Sequence, residues 1–435
     1  MKFLKSQLLQ ARAHALIPGG SHTYAKGDDQ YPVDAPGFLV RGEGAHVWDL
    51  DGNEFVEYNA GLRCVGLGHG YKPVIEASHR EMMRGTNFTR PSPLEVECAE
   101  EFLSVVTGAE MVKFAKNGSD GTSGAVRLSR AFTGRDLVAV CGDHPFFSVD
   151  DWFIGSTPMS AGIPKAFQAM TLKFAYNDLD SIRRLFDQHP GQIACVMLEA
   201  EKEAQPVDDF LHEVQHLCRE QGAVFILDEM ITGFRWHLGG AQKYYGITPD
   251  LSTWGKALGN GFSVAALAGK RDIMRLGGID HDERRVFLLS STNGAESHAL
   301  AAAQEVIRIY KKEPVIETLW QKGAALSAGI QKVIEDHRLG EYFKVLGRPC
   351  CLVYATLDQS KQPSQSFRTL FLQETIKRGI IAPSLVVSYS HSDADITYTI
   401  HAVHEALRVY RKALDEGLEK YLVGRPVKPI FREFN

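Results

Sequence analysis

The sequence predicts an α/β protein in which a large domain is built on a mostly parallel sheet flanked by helices, beside a smaller α+β domain. Apolar, β-rich runs such as residues 224–227 are typical of strands buried on both faces. These runs alternate with helical patterns, and that alternation indicates parallel strands joined by right-handed crossovers. From about Glu313 the order changes to helix, strand, helix, strand and helix, which indicates a separate smaller domain.

Length and composition limit the possible classes. A chain of 435 residues, 44% of them apolar, can bury a large core and form two or three domains. The net charge of -5 provides no basic surface for nucleic acid or anionic lipid, so small molecules are the expected partners. Seven cysteines, with Cys350 and Cys351 adjacent, favour reduced thiols and a cytoplasmic location. No run has the pattern of a secretory signal or the length of a membrane span.

We expect three segments along the chain. They are an N-terminal segment of helix and hairpin that packs with the small domain (residues 1–64), the large ligand-binding domain (residues 65–312) and the C-terminal α+β domain (residues 313–435).

The N-terminal segment begins with an amphipathic helix predicted over residues 2–16. The polar and aromatic loop at residues 21–32 is either a solvated connector or part of a substrate entrance. Residues 40–58 alternate around Asp51 and Gly52, which predicts a hairpin with a type I′ turn.

A candidate anion site follows the first strand of the large domain. Residues 111–115 form an apolar run, residues 116–122 are small and polar, and residues 123–132 have a helical pattern. The free N-H groups and the dipole at a helix start favour an anion, and Ser119 can add a hydroxyl. An ordinary N-capped helix is the alternative interpretation. The spacing of a Walker-type nucleotide loop is absent from this stretch.

The central stretch pairs an acid with a lysine. Asp228 follows the strand at 224–227, and Lys256 follows a second short run at 251–254, just before a glycine-rich turn. If these runs are neighbouring strands, both side chains stand where open α/β sheets bind ligands. A lysine amine can form a Schiff base with an aldehyde cofactor, and a carboxylate can keep a pyridine nitrogen protonated. Pyridoxal 5′-phosphate (PLP) needs both groups, although either residue alone is more often an ordinary surface residue.

The remaining elements of the large domain extend the alternation. The aromatic loop at residues 141–148 can either stack on a flat ring or belong to the core. A second hydroxyl-rich helix start lies at residues 290–294. The other predicted elements are a helix at 73–85, strands at 137–140 and 195–198, and helices at 208–221 and 296–312.

Taken together, five segments resemble the class III, or ω-type, PLP-dependent aminotransferases of fold type I, and most closely the branch that contains glutamate-1-semialdehyde aminomutase. The resemblance covers nearly the whole chain and implies PLP as the cofactor, no metal ion, and a homodimer with shared active sites. The segments are FAKNGSDG from Phe114, CVMLEA from Cys195, DEMITGFR from Asp228, WGKALGNGF from Trp254 and SSTNGAE from Ser290.

The resemblance implies a role for each matching residue. Lys256 matches the Schiff-base lysine that also moves the proton, and Asp228 matches the partner of the ring nitrogen. Met230 matches the residue that packs under the ring. Gly118 and Ser119 match the pair that binds the phosphate.

Further matches are less regular. Thr292 matches a threonine that contacts the cofactor phosphate in the other subunit. Glu199 matches a glutamate near the cofactor, although Ala200 replaces the proline that usually follows it. The Tyr-His-Gly stretch of the family is replaced by DHPFFSVDDW, so Phe146 is the stacking candidate, with His144 behind it.

The candidate substrate-binding residues depart from those of the family. In the semialdehyde aminomutases an arginine in the loop after PGG binds the substrate carboxylate, whereas this loop has His22, Tyr24 and Lys26. A lysine lacks the bidentate fork of arginine. Arg63 and Arg235 are the other candidates for a sugar-acid or glutamate carboxylate.

Two loops, IPGGSHTYAKGDDQYP and DDWFIGST, resemble family members that aminate keto or aldehyde sugars for surface polysaccharides, among them the enzyme that forms 8-amino-Kdo from the lipopolysaccharide sugar Kdo. The resulting expectation is transfer of an amino group from L-glutamate to such a sugar. An intramolecular aminomutase or an epimerase on the same cofactor is the alternative. A binding protein that has lost catalysis is a third, and the presence of both the acid and the lysine argues against it.

Overall fold

The computed structural model of the protein describes residues 2–434. Its strands are, in chain order, β1 (Leu39–Glu43), β2 (His46–Asp49), β3 (Glu54–Glu57), β4 (Met111–Ala115), β5 (Leu137–Cys141), β6 (Thr171–Phe174), β7 (Ile193–Glu199), β8 (Val224–Asp228), β9 (Leu251–Trp254), β10 (Ala265–Gly269), β11 (Phe343–Leu346), β12 (Val353–Thr356) and β13 (Ile380–Ile381).

The helices are, in the same order, α1 (Leu4–Leu16), α2 (Ala60–Arg63), α3 (Lys72–Met82), α4 (Pro93–Leu103), α5 (Gly118–Thr133), α6 (Asp151–Ile154), α7 (Lys165–Gln168), α8 (Leu179–Gln188), α9 (Phe210–Gln221), α10 (Gly240–Tyr245), α11 (Arg271–Met274), α12 (Ser297–Lys312), α13 (Val315–Asp336), α14 (Gln365–Ile376) and α15 (Asp393–Glu416). Contacts divide the chain into two compact units.

The larger unit comprises residues 63–65 and 72–316. In the described residues its sheet has seven strands in the order β4-β10-β9-β8-β7-β5-β6. Strands β5 to β9 pair in parallel, and β10 is antiparallel to both of its neighbours. Each parallel connection contains a helix, as a right-handed crossover requires. The predicted α/β class with a mostly parallel sheet is therefore confirmed.

Local sequence explains why the central strands are buried. Every residue of β7 and β8 is buried, because helices cover both faces of a parallel sheet. Helix α9 connects β7 to β8 and buries Phe210, Leu211 and Val214. The helix ends at Gln221 and is capped by Gly222, whose φ of 62° suits the left-handed conformation that lets the chain turn into β8.

The smaller unit comprises residues 2–62, 66–71 and 317–434 of the described chain. Strands β1, β2 and β3 form an antiparallel meander, and β13 from the C-terminal part adds to β3 in parallel. An apolar cluster beside this sheet joins N-terminal to C-terminal side chains, namely Phe3, Val47, Phe55, Ile376 and Ile381. Strands β11 and β12 form a separate antiparallel pair.

Two predictions for the N-terminal segment need correction. The hairpin is present, but its turn is not type I′, because only Gly52 of the central pair has positive φ, at 89°. The Gly52 N-H donates to the Asp49 carbonyl at 3.2 Å, and glycine relieves the strain at the left-handed position. Helix α1 forms as predicted, but its leucines do not line one buried face, since Leu4 and Leu8 are exposed.

Several elements of the larger unit differ from the sequence prediction. Helix α5 begins at Gly118 rather than at residue 123. The prediction missed the strands β6 and β10 and the helices α4, α6, α7, α8, α10 and α11. Strand β10 has the sequence AALAG, whose small residues have little β propensity, and its pairing with β4 and β9 makes it a strand. Within residues 2–434, no helix has both the length and the apolar character that crossing a bilayer requires.

Candidate active site

The predicted acid and lysine lie at one edge of the large sheet. Strands β8 and β9 are parallel neighbours, with Asp228 paired to Thr253, and Lys256 follows the end of β9. Asp228 is 3% exposed, and its Oδ1 accepts a hydrogen bond of 2.8 Å from the N-H of Met230. Burial raises the pKa of Asp228, while the positive charge of Lys256 and the hydrogen bond from Met230 oppose that rise. A cationic partner therefore favours the charged form of this acid.

A second buried acid lies beside Asp228. Glu199 ends β7 and pairs in register with Asp228, and it is 4% exposed. Burial and the neighbouring Asp228 raise the pKa of Glu199, and the charges of Lys256, Lys202 and Arg63 lower it. Its Oε2 atom is buried without a hydrogen-bond partner among residues 2–434. A buried oxygen of this kind is suited to a hydrogen bond with a bound molecule.

His144 is fixed behind Glu199 by the backbone. The Glu199 N-H donates to Nδ1 of His144 at 3.0 Å, so the ring nitrogen Nε2 carries the proton in the neutral form. Burial lowers the pKa of His144 to about 4, with the charge of Lys202 acting in the same direction and Asp143 opposing both. His144 is consequently neutral at pH 7, and its ring lies 5.1 Å from the ring of Tyr176.

The predicted anion site is the capped start of α5. The side chain of Asn117 accepts from the Asp120 N-H at 3.1 Å, and Asp120 accepts in return from the Asn117 N-H at 3.1 Å. Ser119 accepts from the Val149 N-H at 3.0 Å, which leaves its hydroxyl hydrogen available to donate. The N-H groups that follow the cap, at Gly118 and Ser119, and the helix dipole favour a negatively charged group.

The aromatic loop packs against this helix start. The Thr122 hydroxyl donates to the Phe147 carbonyl at 2.8 Å, and the Trp152 indole donates to the Ser123 hydroxyl at 2.8 Å. Phe147 is buried in the core, whereas Phe146 is 44% exposed, with its ring 5.9 Å from that of Phe153. The exposed Phe146 therefore has a free surface for stacking, which Phe147 lacks.

Met230 links the helix start to the lysine. A Cβ atom at Gly118 would lie 3.0 Å from the Met230 sulfur, and one at Gly255 would lie 2.8 Å from it. Glycine at both positions lets the methionine approach both segments closely. Lys256 itself has φ of 45°, a conformation rare for non-glycine residues and frequent at functional sites.

Strand order brings these groups to one edge. Strand β10 lies between β4 and β9 and is antiparallel to both, so that its first residues face their last ones, as in the pairs Ala265 with Ala115 and Ala266 with Trp254. An anion-binding helix start, a buried acid for a ring nitrogen and a lysine amine are the three groups that PLP requires. The residues present therefore fit this cofactor.

Thr292, which the sequence predicts to contact the cofactor phosphate of a second subunit, is exposed in a turn before α12. Its carbonyl accepts from the Asn87 side chain at 2.9 Å. Glu296, four residues on, forms an ion pair with Lys116 beside the α5 cap and accepts from Asn293 at 2.9 Å. The predicted contact with a second subunit stays a prediction.

The five candidate substrate residues lie in different parts of the fold. Arg63 belongs to the larger unit and is partly exposed. Arg235 is 0% exposed and donates to the Arg63 carbonyl at 3.0 Å, and its role in substrate binding stays a prediction. His22, Tyr24 and Lys26 are exposed in the smaller unit, and their role in binding stays a prediction.

Sequence reasoning missed Lys202 and the structural role of Asn117. The cap had a detectable signal, because Asn117 and Asp120 have the spacing of a capping box. Lys202 follows β7 in a polar segment without periodicity, and only its effect on Glu199 and His144 connects it with the site. No local pattern could have predicted that proximity.

The comparisons with known proteins agree with this geometry. The family model "Aminotransferase class-III" matches residues 24–382. Proteins named glutamate-1-semialdehyde 2,1-aminomutase from Acetivibrio thermocellus and Chloroherpeton thalassium are 32% and 31% identical, over 93% of this chain and 97% and 98% of theirs.

Solved structures are also similar. The PLP internal aldimine form of the FumI protein of Sphingopyxis sp. MTA144 is 28% identical with a TM-score of 0.87, over 95% of this chain and 98% of that one. An omega-transaminase from Sphaerobacter thermophilus is 25% identical with a TM-score of 0.82, over 93% and 98% of the chains. This chain belongs to the class III aminotransferase family and is a PLP-dependent enzyme of fold type I.

Proposed function

We propose that the protein moves an amino group within one substrate molecule, as an aminomutase of the glutamate-1-semialdehyde type. Amino-group chemistry is supported by one observation, the position of Asp228, Glu199 and Lys256 on one edge of the sheet. The intramolecular reaction is supported by the names of the curated relatives, which match this chain over nearly its full length. It was the alternative interpretation of the sequence, and those names favour it over a sugar acceptor.

The residues that hold the cofactor follow from the geometry. The first N-H groups of α5 and the Ser119 hydroxyl would bind the phosphate, and Asp228 would keep the ring nitrogen protonated. Met230 would pack against one face of the ring and Phe146 against the other, with Glu199 and His144 at the edge. PLP, when bound, supplies the electron sink that makes a proton on the substrate carbon removable. The Lys256 amine would take that proton and return it at a second carbon.

A second candidate is the predicted transfer from L-glutamate to a keto or aldehyde sugar, including a form of Kdo. Two observations favour it. The loop after PGG has Lys26 where the aminomutase resemblance leads us to expect an arginine. In addition, a transaminase is among the similar structures, at a TM-score of 0.82. In this reaction the amino group leaves one molecule and is delivered to another.

We further propose a homodimer in which Thr292 reaches the phosphate of the opposite subunit, and a cytoplasmic location. The exposure of Thr292 supports the first, because an exposed side chain is available to a second copy. The burial of most cysteine residues as thiols is consistent with a reducing compartment. A monomer with full activity would contradict the shared site.

Product analysis distinguishes the two reactions. The PLP-loaded protein is given glutamate-1-semialdehyde alone, and in a separate sample L-glutamate alone. The aminomutase converts the semialdehyde to its 5-amino-4-oxo isomer without any other donor. Release of 2-oxoglutarate from glutamate, with the semialdehyde unchanged, would overturn the aminomutase and support the aminotransferase. The Lys256→Ala variant is the control for non-enzymatic conversion.

A further inference from the structure

The short element α2, which precedes the site, is an unusual left-handed turn and not an ordinary right-handed helix. Ala60, Gly61, Leu62 and Arg63 have φ of 45°, 58°, 64° and 69°. Non-glycine residues rarely adopt this conformation, because Cβ then approaches the following carbonyl oxygen. Such strain persists only where surrounding contacts impose it, and it is concentrated at ligand-binding and catalytic positions. The side chain that ends the turn is Arg63.

Two contacts fix the position of Arg63 in the larger unit. Arg235, which is fully buried, donates from Nη2 to the Arg63 carbonyl at 3.0 Å. Two residues further on, Val65 lies close to the glycine-rich turn after Lys256, since a Cβ atom at Gly261 would be 3.8 Å from Val65 Cγ2. The segment that carries Arg63 therefore lies against the loop that carries the catalytic lysine.

The Arg63 side chain has unused hydrogen-bonding capacity. Its Nε is buried, and within residues 2–434 no group accepts a hydrogen bond from it. The charge of Arg63 lowers the pKa of Glu199, although burial and Asp228 raise it. Buried N-H groups are normally paired, and an unpaired one indicates a missing partner. The planar fork of arginine matches a carboxylate.

We propose that Arg63 binds a carboxylate of the substrate beside Lys256, with Arg235 holding the Arg63 backbone in place. This inference rests on the proposed function and specifies the substrate class: an amino, keto or sugar acid is accepted, and the corresponding uncharged compound is discriminated against. Glutamate-1-semialdehyde, L-glutamate and Kdo-type sugars all carry such a group. The carboxylate-binding residue is thereby placed after β3 and not in the loop that contains Lys26.

The test compares binding of glutarate and of glutaramide to the PLP-loaded protein by calorimetry. Glutarate has the carbon skeleton of glutamate without an amino group to react, and glutaramide is its uncharged counterpart. We expect the wild type to bind glutarate at least ten-fold more tightly, and Arg63→Asn to remove that preference. Asparagine tolerates the left-handed backbone, so the turn is kept. Arg63→Lys should retain part of the preference, because it keeps the charge without the fork.

Arg183→Gln, an exposed arginine of α8, is the matched control and should leave the preference unchanged. An Arg63→Asn protein that binds PLP normally and keeps the wild-type preference would overturn the inference. The wild type showing no preference would do the same. Both results are independent of the product assay. If the protein transfers amino groups but its preference for glutarate is unchanged by Arg63→Asn, only the role of Arg63 is contradicted. If it transfers no amino group, the proposed function is contradicted.

Discussion

Lys256 is the residue on which the proposed chemistry depends. We expect Lys256→Ala to lose about 10²–10⁴-fold or more in turnover, because in the proposed mechanism one amine both bonds to the cofactor and moves the proton. After borohydride reduction, mass spectrometry should find the cofactor mass on the wild-type protein and not on the variant. Lys165→Ala, at an exposed lysine of α7, should behave like the wild type. A variant that still carries the cofactor covalently would assign the bond to another lysine.

Protonation of His391 is expected to make the stability of the smaller unit depend on pH. Its Nδ1 accepts from the Ser388 N-H at 2.9 Å, and burial lowers the pKa of His391 to about 4, with Asp395 opposing and His46 and Lys322 adding to the effect. Between pH 6.5 and pH 4 the unfolded chain binds a proton that the folded chain does not. The free energy of unfolding should therefore fall as pH decreases through this window, by about 3 kcal/mol from this group.

The variant His391→Asn tests this linkage, since its side-chain oxygen can still accept from Ser388. Urea midpoints measured from pH 4 to pH 7 should depend less on pH in His391→Asn than in the wild type. His401→Asn, at an exposed histidine of α15, serves as the control. Equal slopes for the wild type and His391→Asn would show that another group is responsible.

At the scale of elements, we propose that the cap of α5 serves cofactor binding as well as folding. Removing the cap acceptor in Asn117→Ala should cost about 1 kcal/mol of stability and should weaken PLP binding several-fold, because the N-H groups of the first turn lose their orientation. Denaturant midpoints and a PLP titration measure the two effects. Ser364→Ala removes the cap of α14 in the smaller unit, where Ser364 accepts from Phe367 at 3.3 Å. It should lower stability similarly and leave PLP affinity unchanged.

At the scale of the whole molecule, the seven cysteines are all outside disulfides, and six of them are buried. Burial raises the pKa of Cys98, Cys141 and Cys195 to about 12, so these thiols are protonated and unreactive at neutral pH. A thiol reagent should label one group quickly in the native protein, the partly exposed Cys64. In denaturant without reductant it should label all seven, and a smaller number would reveal a disulfide.

Long periodic or apolar segments were predictable from the sequence. The strands β4 and β9 have the predicted bounds, and β8 extends the predicted run by one residue, Asp228. The amphipathic helices α9 and α12 begin within two residues of the expected positions. Their burial follows from the spacing of apolar residues within the segment itself, so a single sequence suffices to predict it. Short elements without that pattern, such as β10, were missed for the same reason. The helices α4 and α8 were also missed, although α8 has an amphipathic pattern that buries Ile182 and Phe186.

The sequence by itself determined that an acid and a lysine follow two buried strands and that a helix start suited to an anion follows another. Only the tertiary structure decided that β10 lies between β4 and β9, that Glu199 stands beside Asp228, and that Arg63 ends a left-handed turn held by Arg235. Strand order and the pairing of distant residues depend on the packing of the whole chain. The local spacing of residues does not predict strand order or these pairings, because the partners are far apart in sequence.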